Sequence, residues 1–192
     1  MSSEDAERWD ARYADRDGGP TRARMPIALE HADDSHLADF PTAGTALDIA
    51  SGLGEQTLWL AERGLRVDAL DISPVAMTSL LAAVGDAGFS DGVTGRVDDL
   101  DDGIPADLGP FDVVVCQRFR APHLYEPMLE RLRSGGWLVM TVLSETGASD
   151  PGEFHAPPGE LTLFFDRPGC TLVSHHEADG EESIVVRTNA RA

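Results

Sequence analysis

The chain has 192 residues, a hydrophobic fraction of 42% and a formal net charge of −19, from 34 acidic and 15 basic residues. That length is typical of one domain with a single core, and we expect so negative a surface to repel nucleic-acid phosphates and anionic lipids. The sequence has no apolar run of the roughly 18–20 residues that a membrane-spanning helix needs, and its polar, acidic N-terminus is unlike a secretory signal, so we expect a cytoplasmic protein.

The first 42 residues predict a short helical segment ahead of the main domain. Glu4–Ala14 is predicted as a helix, and a Gly-Gly-Pro break follows at Gly18–Pro20. Pro26–Phe40 is predicted as a second helix, which Pro41 ends. We expect residues 1–42 to form a lid on a core of residues 43–192, within one domain that spans residues 1–192.

From residue 43 onward, short apolar runs alternate with helical stretches, a pattern that predicts an α/β fold with a mainly parallel sheet. The predicted strands are Thr45–Ala50, Leu65–Asp71, Gly92–Val97, Phe111–Cys116, Trp137–Leu143, Cys170–Glu177 and Glu182–Thr188. The predicted helices are Gly54–Arg63, Pro74–Asp86, Pro122–Leu132 and Pro158–Asp166. Asp179-Gly180 joins the last two strands, and this dipeptide predicts a tight antiparallel hairpin.

A glycine-rich loop at the end of the first strand is the central motif of the sequence. It runs from Asp48 to Glu55, and Gly52 and Gly54 allow the backbone to turn sharply and to approach a ligand closely. Asp71 ends the next strand, where a carboxylate can accept hydrogen bonds from both hydroxyls of a ribose. The loop and Asp71 together predict a nucleoside-binding site.

The chemistry of the loop indicates which nucleoside it binds. A nicotinamide dinucleotide site favours a third small residue in the motif, but Thr57 stands at that position. Asp48 and Glu55 would repel a pyrophosphate, whereas they suit a cofactor that carries an ammonium and a sulfonium. The sequence therefore predicts S-adenosylmethionine as the cofactor.

With these motifs, the chain resembles class I S-adenosylmethionine-dependent methyltransferases, and within them the small tellurite-resistance and thiopurine-methyltransferase-like enzymes. The matching segments are WDARY (9–13), ALDIASGLGEQTLWLAERG (46–64), VDALDISPVAM (67–77), Asp99-Leu100, FDVVVC (111–116), LRSGGWLVMT (132–141) and PGEL (158–161). The resemblance implies a Rossmann-like seven-stranded sheet of order 3-2-1-4-5-7-6, with strand 7 antiparallel and helices on both faces.

The resemblance also implies roles for individual residues. Asp71 would bind the ribose, and Ile72 and Leu100 would flank the adenine. Asp99 would meet the adenine amino group; Asp98 competes with it for this role, and Asp99 is preferred because it matches the Asp-Leu pair. Gln117 would flank the methionine part of the cofactor. The full set of expected cofactor-binding residues is Trp9, Arg12, Tyr13, Asp48, Ala50, Gly52, Gly54, Asp71, Ile72, Asp99, Leu100 and Gln117.

The methyl acceptor is less well defined by the sequence. The segments expected to form its pocket carry many polar groups and few aromatic ones, which favours a small polar molecule with a hydroxyl acceptor, such as a sugar or a small acid. A thiol or chalcogen acceptor, or a non-catalytic cofactor-binding module, remains an alternative. His155, Arg118 and His123 are the candidate catalytic residues, no metal site is predicted, and a monomer or a homodimer is expected.

Overall fold

The computed structural model describes residues 3–14 and 21–189 of the chain. Seven strands form one sheet: β1 Gly44–Ile49, β2 Leu65–Asp71, β3 Val93–Val97, β4 Phe111–Gln117, β5 Leu132–Leu143, β6 Cys170–Ala178 and β7 Glu181–Thr188. The α-helices are α1 Ser3–Ala14, α2 Ile27–Glu30, α3 Asp34–Asp39, α4 Glu55–Glu62, α5 Pro74–Asp86, α6 Tyr125–Glu130 and α7 Glu160–Phe165. None of the helices in these two ranges has both the length and the apolar character needed to cross a bilayer.

The strand order is β3-β2-β1-β4-β5-β7-β6, which confirms the predicted topology. The first five strands pair in parallel, and β7 lies antiparallel between β5 and β6. The turn between β6 and β7 has positive φ angles at Asp179 (53°) and Gly180 (83°), as a tight hairpin requires. The chain therefore forms its antiparallel hairpin at the Asp-Gly dipeptide, as the sequence predicted.

The sheet is covered by helices on both faces, because alternate residues of each central strand point to opposite sides. On one face, Leu47 and Ile49 of β1 belong to a buried cluster that includes residues of α6 and α7. On the other face, Ala46 of β1 packs in a second buried cluster with residues of α2, α4 and α5. These two layers hold the strand ends rigidly, and those ends carry the site.

Two helix predictions were wrong in their extent. Pro26–Phe40 is not one helix but two short ones, α2 and α3, because Asp33 starts a new helix by accepting a hydrogen bond from the His36 backbone N–H (3.0 Å). Pro122–Leu132 forms a 3₁₀ turn followed by α6, and β5 already begins at Leu132. The predicted break at Gly18–Pro20 lies outside the described residues.

Two glutamates of the terminal hairpin anchor the long loop 144–159 and the helix after it. The fully buried Glu182 accepts hydrogen bonds from the backbone N–H groups of Leu161 (3.0 Å) and Thr162 (3.2 Å), in the first turn of α7. Glu177 accepts hydrogen bonds from the hydroxyls of Ser144 (2.6 Å) and Thr146 (2.9 Å), at the start of the loop. The antiparallel hairpin therefore fixes both ends of a loop that borders the cavity described below.

We expect Glu182→Ala to lower the free energy of unfolding by about 3 kcal/mol, because it leaves buried backbone donors at the start of α7 without an acceptor. Chemical denaturation measures this change. Glu62→Ala is the control, since Glu62 is exposed on α4, and it should alter the free energy by less than about 0.5 kcal/mol. Equal effects of the two substitutions would contradict the anchoring role of Glu182.

Candidate functional site

A cavity of about 1370 Å³ opens at the carboxyl ends of β1, β2 and β4. Its walls are completed by residues of α1 and of the loop 144–159. Open α/β sheets bind their ligands at this edge, where the loops after the strands converge. The cavity is large enough for a nucleoside cofactor and a small second molecule together.

The glycine loop forms the floor of the cavity through residues with left-handed backbone. Ala50 and Gly52 line the cavity and have φ angles of 54° and 53°. A Cβ atom on Gly52 would lie only 3.0 Å from the Tyr13 hydroxyl, so this tight contact beneath α1 favours glycine, as does the left-handed φ. Gly54 has a φ of 86°, and glycine is needed here for helix packing. A Cβ atom at this position would lie 2.6 Å from Cγ of Leu80. Gly54 thus lets α4 pack closely on α5 without lining the cavity.

The Asp71 carboxylate lies in the cavity wall and joins the glycine loop to α5. One oxygen accepts a hydrogen bond from the Gly52 N–H (2.8 Å), and the other accepts one from the Ser73 N–H (2.9 Å). Asp71 is only 4% exposed, and its burial raises the pKa of the carboxyl despite these two donors. A carboxylate fixed in this way suits the hydroxyl groups of a ribose, which is the group that the sequence predicted.

Asp48 lies behind the glycine loop, outside the lining of the cavity. It is 2% exposed and accepts a hydrogen bond from the Thr57 hydroxyl (2.6 Å). Burial raises the pKa of Asp48 to about 7; the Thr57 hydrogen bond opposes this shift, and the negative charge of Asp71 adds to it. Thr57 therefore occupies the third position of the motif because its hydroxyl is the partner of this buried carboxyl.

Helix α1 brings all three of its predicted residues to the cavity. Trp9, Arg12 and Tyr13 line it, with the Trp9 and Tyr13 rings stacked at a centroid distance of 5.7 Å. The Arg12 guanidinium lies 5.2 Å from the centre of the Trp9 ring. The Arg8 guanidinium lies 5.7 Å from the centre of the Phe154 ring, so α1 also contacts the loop 144–159.

The three residues predicted to surround the adenine, here called the adenine wall, are Ile72, Asp99 and Leu100, and they do not all line the cavity. Ile72 and Leu100 line it, as expected. Asp99 does not, because its carboxylate caps a 3₁₀ turn by accepting a hydrogen bond from the Asp101 N–H (2.9 Å). Asp101, from the same turn, lines the cavity instead.

Gln117 at the end of β4, and Arg118 and His123 after it, all line the cavity, and each has a different partner. The Gln117 side chain accepts a hydrogen bond from the Ile27 N–H (3.1 Å) and so ties α2 to the site. Arg118 has a φ of 56° and forms an ion pair with Glu181. His123 donates its Nε2 hydrogen to the Leu100 carbonyl (3.1 Å), beside the predicted adenine wall.

His155 lines the cavity from the loop 144–159. Its Nδ1 atom is 2.9 Å from the Gly152 nitrogen and 3.2 Å from the Gly152 oxygen. Depending on the ring tautomer, Nδ1 therefore either accepts a hydrogen bond from the Gly152 N–H or donates one to the Gly152 carbonyl. When Nδ1 carries the hydrogen and donates it to the Gly152 carbonyl, Nε2 has a free lone pair. His155 can therefore accept a proton at Nε2.

Within residues 3–14 and 21–189, one group of His and acid side chains has the mutual proximity of metal ligands, namely His175, Glu177 and Glu182. Its two carboxylates already accept the hydrogen bonds that anchor the loop 144–159 and α7. This group therefore has a structural explanation in the fold.

Sequence analysis missed the role of another arginine of the cavity, Arg120. It binds both carboxylate oxygens of Glu160 (2.9 and 2.6 Å), and the Tyr125 hydroxyl donates to the same carboxylate (2.7 Å). The Arg120 guanidinium lowers the pKa of Glu160, although burial opposes the shift. No local pattern indicates these partners, because Arg120 and Glu160 lie on elements that meet only in the folded chain.

Residues 46–136 match a family described as a methyltransferase domain, and this segment contains the glycine loop and Asp71. No curated protein sequence matches the chain significantly. Among solved structures, the chain is similar to TehB from Haemophilus influenzae, with 16% identity and a TM-score of 0.69. That similarity covers 81% of this chain but only 61% of the TehB chain.

Two other solved structures match almost end to end. The DhpI–SAM–HEP complex is 23% identical, with a TM-score of 0.66 over 96% of both chains. The [4+2]-cyclase SpnF is 13% identical, with a TM-score of 0.72 over 100% of this chain and 97% of that one. At these identities the likeness shows the fold, and the presence of a cyclase means that the fold by itself does not fix the reaction.

The buried Asp48 makes stability depend on pH in a defined direction. Its pKa is about 7 in the folded chain, well above the ordinary aspartate value near 4. The folded chain thus keeps a proton that the unfolded chain releases, and this stabilising contribution is lost as the pH rises from about 4 through 7. We expect a loss of about 2 kcal/mol between pH 5.5 and pH 8 from this group.

Asp48→Asn should reduce that pH dependence, as measured by chemical denaturation at pH 5.5 and pH 8. Asp86→Asn is the matched control, because Asp86 is exposed at the end of α5, and it should keep the wild-type dependence. If Asp48→Asn lost as much stability over this interval as the wild type, the buried carboxyl would not be the cause.

Proposed function

We propose that the chain is a class I S-adenosylmethionine-dependent methyltransferase, because residues 46–136 match a methyltransferase-domain family and the fold is similar to that of TehB. We further propose that it methylates a hydroxyl group of a small polar molecule, such as a sugar or a small acid. One observation carries this proposal: the part of the cavity between the end of β4 and the loop 144–159 is lined by hydrogen-bonding side chains. Arg118 and His155 both line the cavity, and so do the aromatic side chains of Phe119 and Phe154.

We infer that the cofactor lies between α1, the glycine loop and the end of β2. Asp71 would bind the ribose, and Ile72 and Leu100 would enclose the adenine. Asp99 is our candidate for the adenine amino group, and Asp101 of the same turn is the alternative. The remaining proposed cofactor residues are Trp9, Arg12, Tyr13, Asp48, Ala50, Gly52, Gly54 and Gln117.

The residues of the cavity fit this cofactor in charge and in shape. Asp71 presents a fixed carboxylate, and the backbone at Gly52 leaves space that a side chain would fill. Arg12 is a candidate partner for the carboxylate of the methionine part, since its guanidinium lies on the cavity side of α1. Because Asp48 is buried behind the glycine loop, we infer that it does not touch the cofactor. It would affect cofactor binding only by holding the loop in position or through its charge.

S-adenosylmethionine, when bound, supplies a methyl group on a sulfonium, so the leaving group is already activated. The task of the chain is to align the acceptor and to exclude water from it. Transfer to a hydroxyl also requires removal of a proton, and we propose that Nε2 of His155 accepts it. Arg118 would hold the acceptor through its guanidinium, which Glu181 orients. His123, fixed to the Leu100 carbonyl, is the second candidate for the base.

The alternatives are distinguishable by their need for a base. A thiol or chalcogen acceptor is a better nucleophile, so its methylation would depend little on His155. A non-catalytic module would bind the cofactor without turnover of any acceptor. His155 in the cavity favours the hydroxyl acceptor over both.

We expect Asp71→Ala to weaken binding of S-adenosylhomocysteine about 100-fold, because both ribose hydrogen bonds and the hydrogen bonds that hold the glycine loop are lost. Isothermal titration calorimetry measures the dissociation constant. Asp68→Ala is the control and should bind as the wild type does, because Asp68 lies on the same strand but does not line the cavity. Unchanged affinity in Asp71→Ala would remove this residue from the proposed site.

We expect His155→Gln to lower kcat about 10²–10³-fold on a hydroxyl acceptor found by screening sugars and small acids, with little change in cofactor affinity. His123→Gln is compared in the same assay, and the larger loss identifies the base. A thiol acceptor tested in parallel should respond to neither substitution. Full activity of both variants on the hydroxyl acceptor would contradict base catalysis by either histidine.

A further inference from the structure

We propose that Asp10 is a positioning residue that latches α1 over the cofactor side of the cavity. The inference rests on the proposed cofactor site, since it concerns how that site is closed. It follows from a set of hydrogen bonds that links α1, the first turn of α5, Asp71 and the glycine loop.

The latch joins the middle of α1 to the first turn of α5. One carboxylate oxygen of Asp10 accepts a hydrogen bond from the Ser73 hydroxyl and another from the Val75 backbone N–H (3.3 Å). Ser73 is completely buried and caps α5, because its hydroxyl oxygen accepts the Ala76 N–H (3.0 Å). A negative charge at the N-terminus of this 13-residue helix is also favoured by the helix dipole.

Ser73, the partner of Asp10, also contacts residues of the proposed cofactor site. The Ser73 N–H donates to Asp71, and Asp71 also accepts the Gly52 N–H. The Tyr13 hydroxyl lies above Gly52, 3.0 Å from where a Cβ atom would be. Asp10 and Tyr13 are three residues apart and so lie on the same face of α1. Fixing Asp10 to Ser73 therefore fixes Tyr13 over the loop and keeps Asp71 beneath the helix.

The other acidic side chains of α1 provide a contrast. Glu7 is exposed, and Asp5 forms an ion pair with Arg8 within the helix (2.8 Å). Removing the charge of Asp10 has a second effect, because that charge adds to burial in raising the pKa of Asp71. Charge removal alone would thus favour the ionised Asp71 and tighter ribose binding, whereas loss of the latch would weaken binding. The two effects have opposite signs.

The test uses three variants of the full chain: Asp10→Ala, Asp10→Asn and the matched control Glu7→Ala, which removes one negative charge from the same helix. We expect Asp10→Ala to raise the dissociation constant of S-adenosylhomocysteine about tenfold and to speed its release. Asp10→Asn keeps an acceptor oxygen for the Ser73 hydroxyl and should recover most of the affinity. Glu7→Ala should bind within about twofold of the wild type.

A second measurement needs no ligand. Amide hydrogen exchange of the free chain should show faster exchange in α1 for Asp10→Ala than for Glu7→Ala, with unchanged exchange in the central strands. Unchanged exchange in α1 of Asp10→Ala, or an affinity equal to or tighter than that of the wild type, would overturn the latch. If the wild type failed to bind S-adenosylhomocysteine while Asp10→Ala still loosened α1, the cofactor site would be wrong and the latch would stand.

Discussion

The Asp71 carboxylate is the contact on which the arrangement of the site depends. By accepting the N–H groups of Gly52 and Ser73, it holds the loop after β1 and the start of α5 at a fixed separation. Both donors belong to turns that would otherwise leave buried backbone groups unpaired. Because Asp71 is nearly buried, its charge is poorly hydrated and is available to a ligand that offers donors.

A second carboxyl, Asp48, occupies the space behind the same loop. Burial and, to a smaller extent, the nearby Asp71 carboxylate raise the cost of ionising Asp48, and the Thr57 hydroxyl offsets part of that cost. A cationic ligand in front of the loop would relieve this repulsion. The buried charge is thus consistent with a positively charged cofactor, which is the same inference that the acidic motif supported.

The proposed acceptor side of the cavity is formed by a loop, unlike the cofactor side, which is formed at the ends of β1 and β2. Its wall is a long loop, and the antiparallel hairpin β6–β7 restrains that loop through Glu177 and Glu182. Helix α1 closes the space from above through the contact of Arg8 with Phe154. Restraint at the ends of the loop leaves its central part, with His155, free to differ in sequence without disturbing the sheet.

Local patterns in the sequence predicted the strands, the hairpin, the glycine loop and Asp71, because strand and turn signals come from neighbouring residues. The strand order came from the resemblance to a known family, and the structure has that order. The resemblance also singled out Trp9, Arg12 and Tyr13, which line the cavity. Three side-chain contacts become visible only in the folded chain: Thr57 with Asp48, Arg120 with Glu160, and Ser73 with Asp10. Each of them joins two different elements or loops, and such partners depend on packing that no local pattern records.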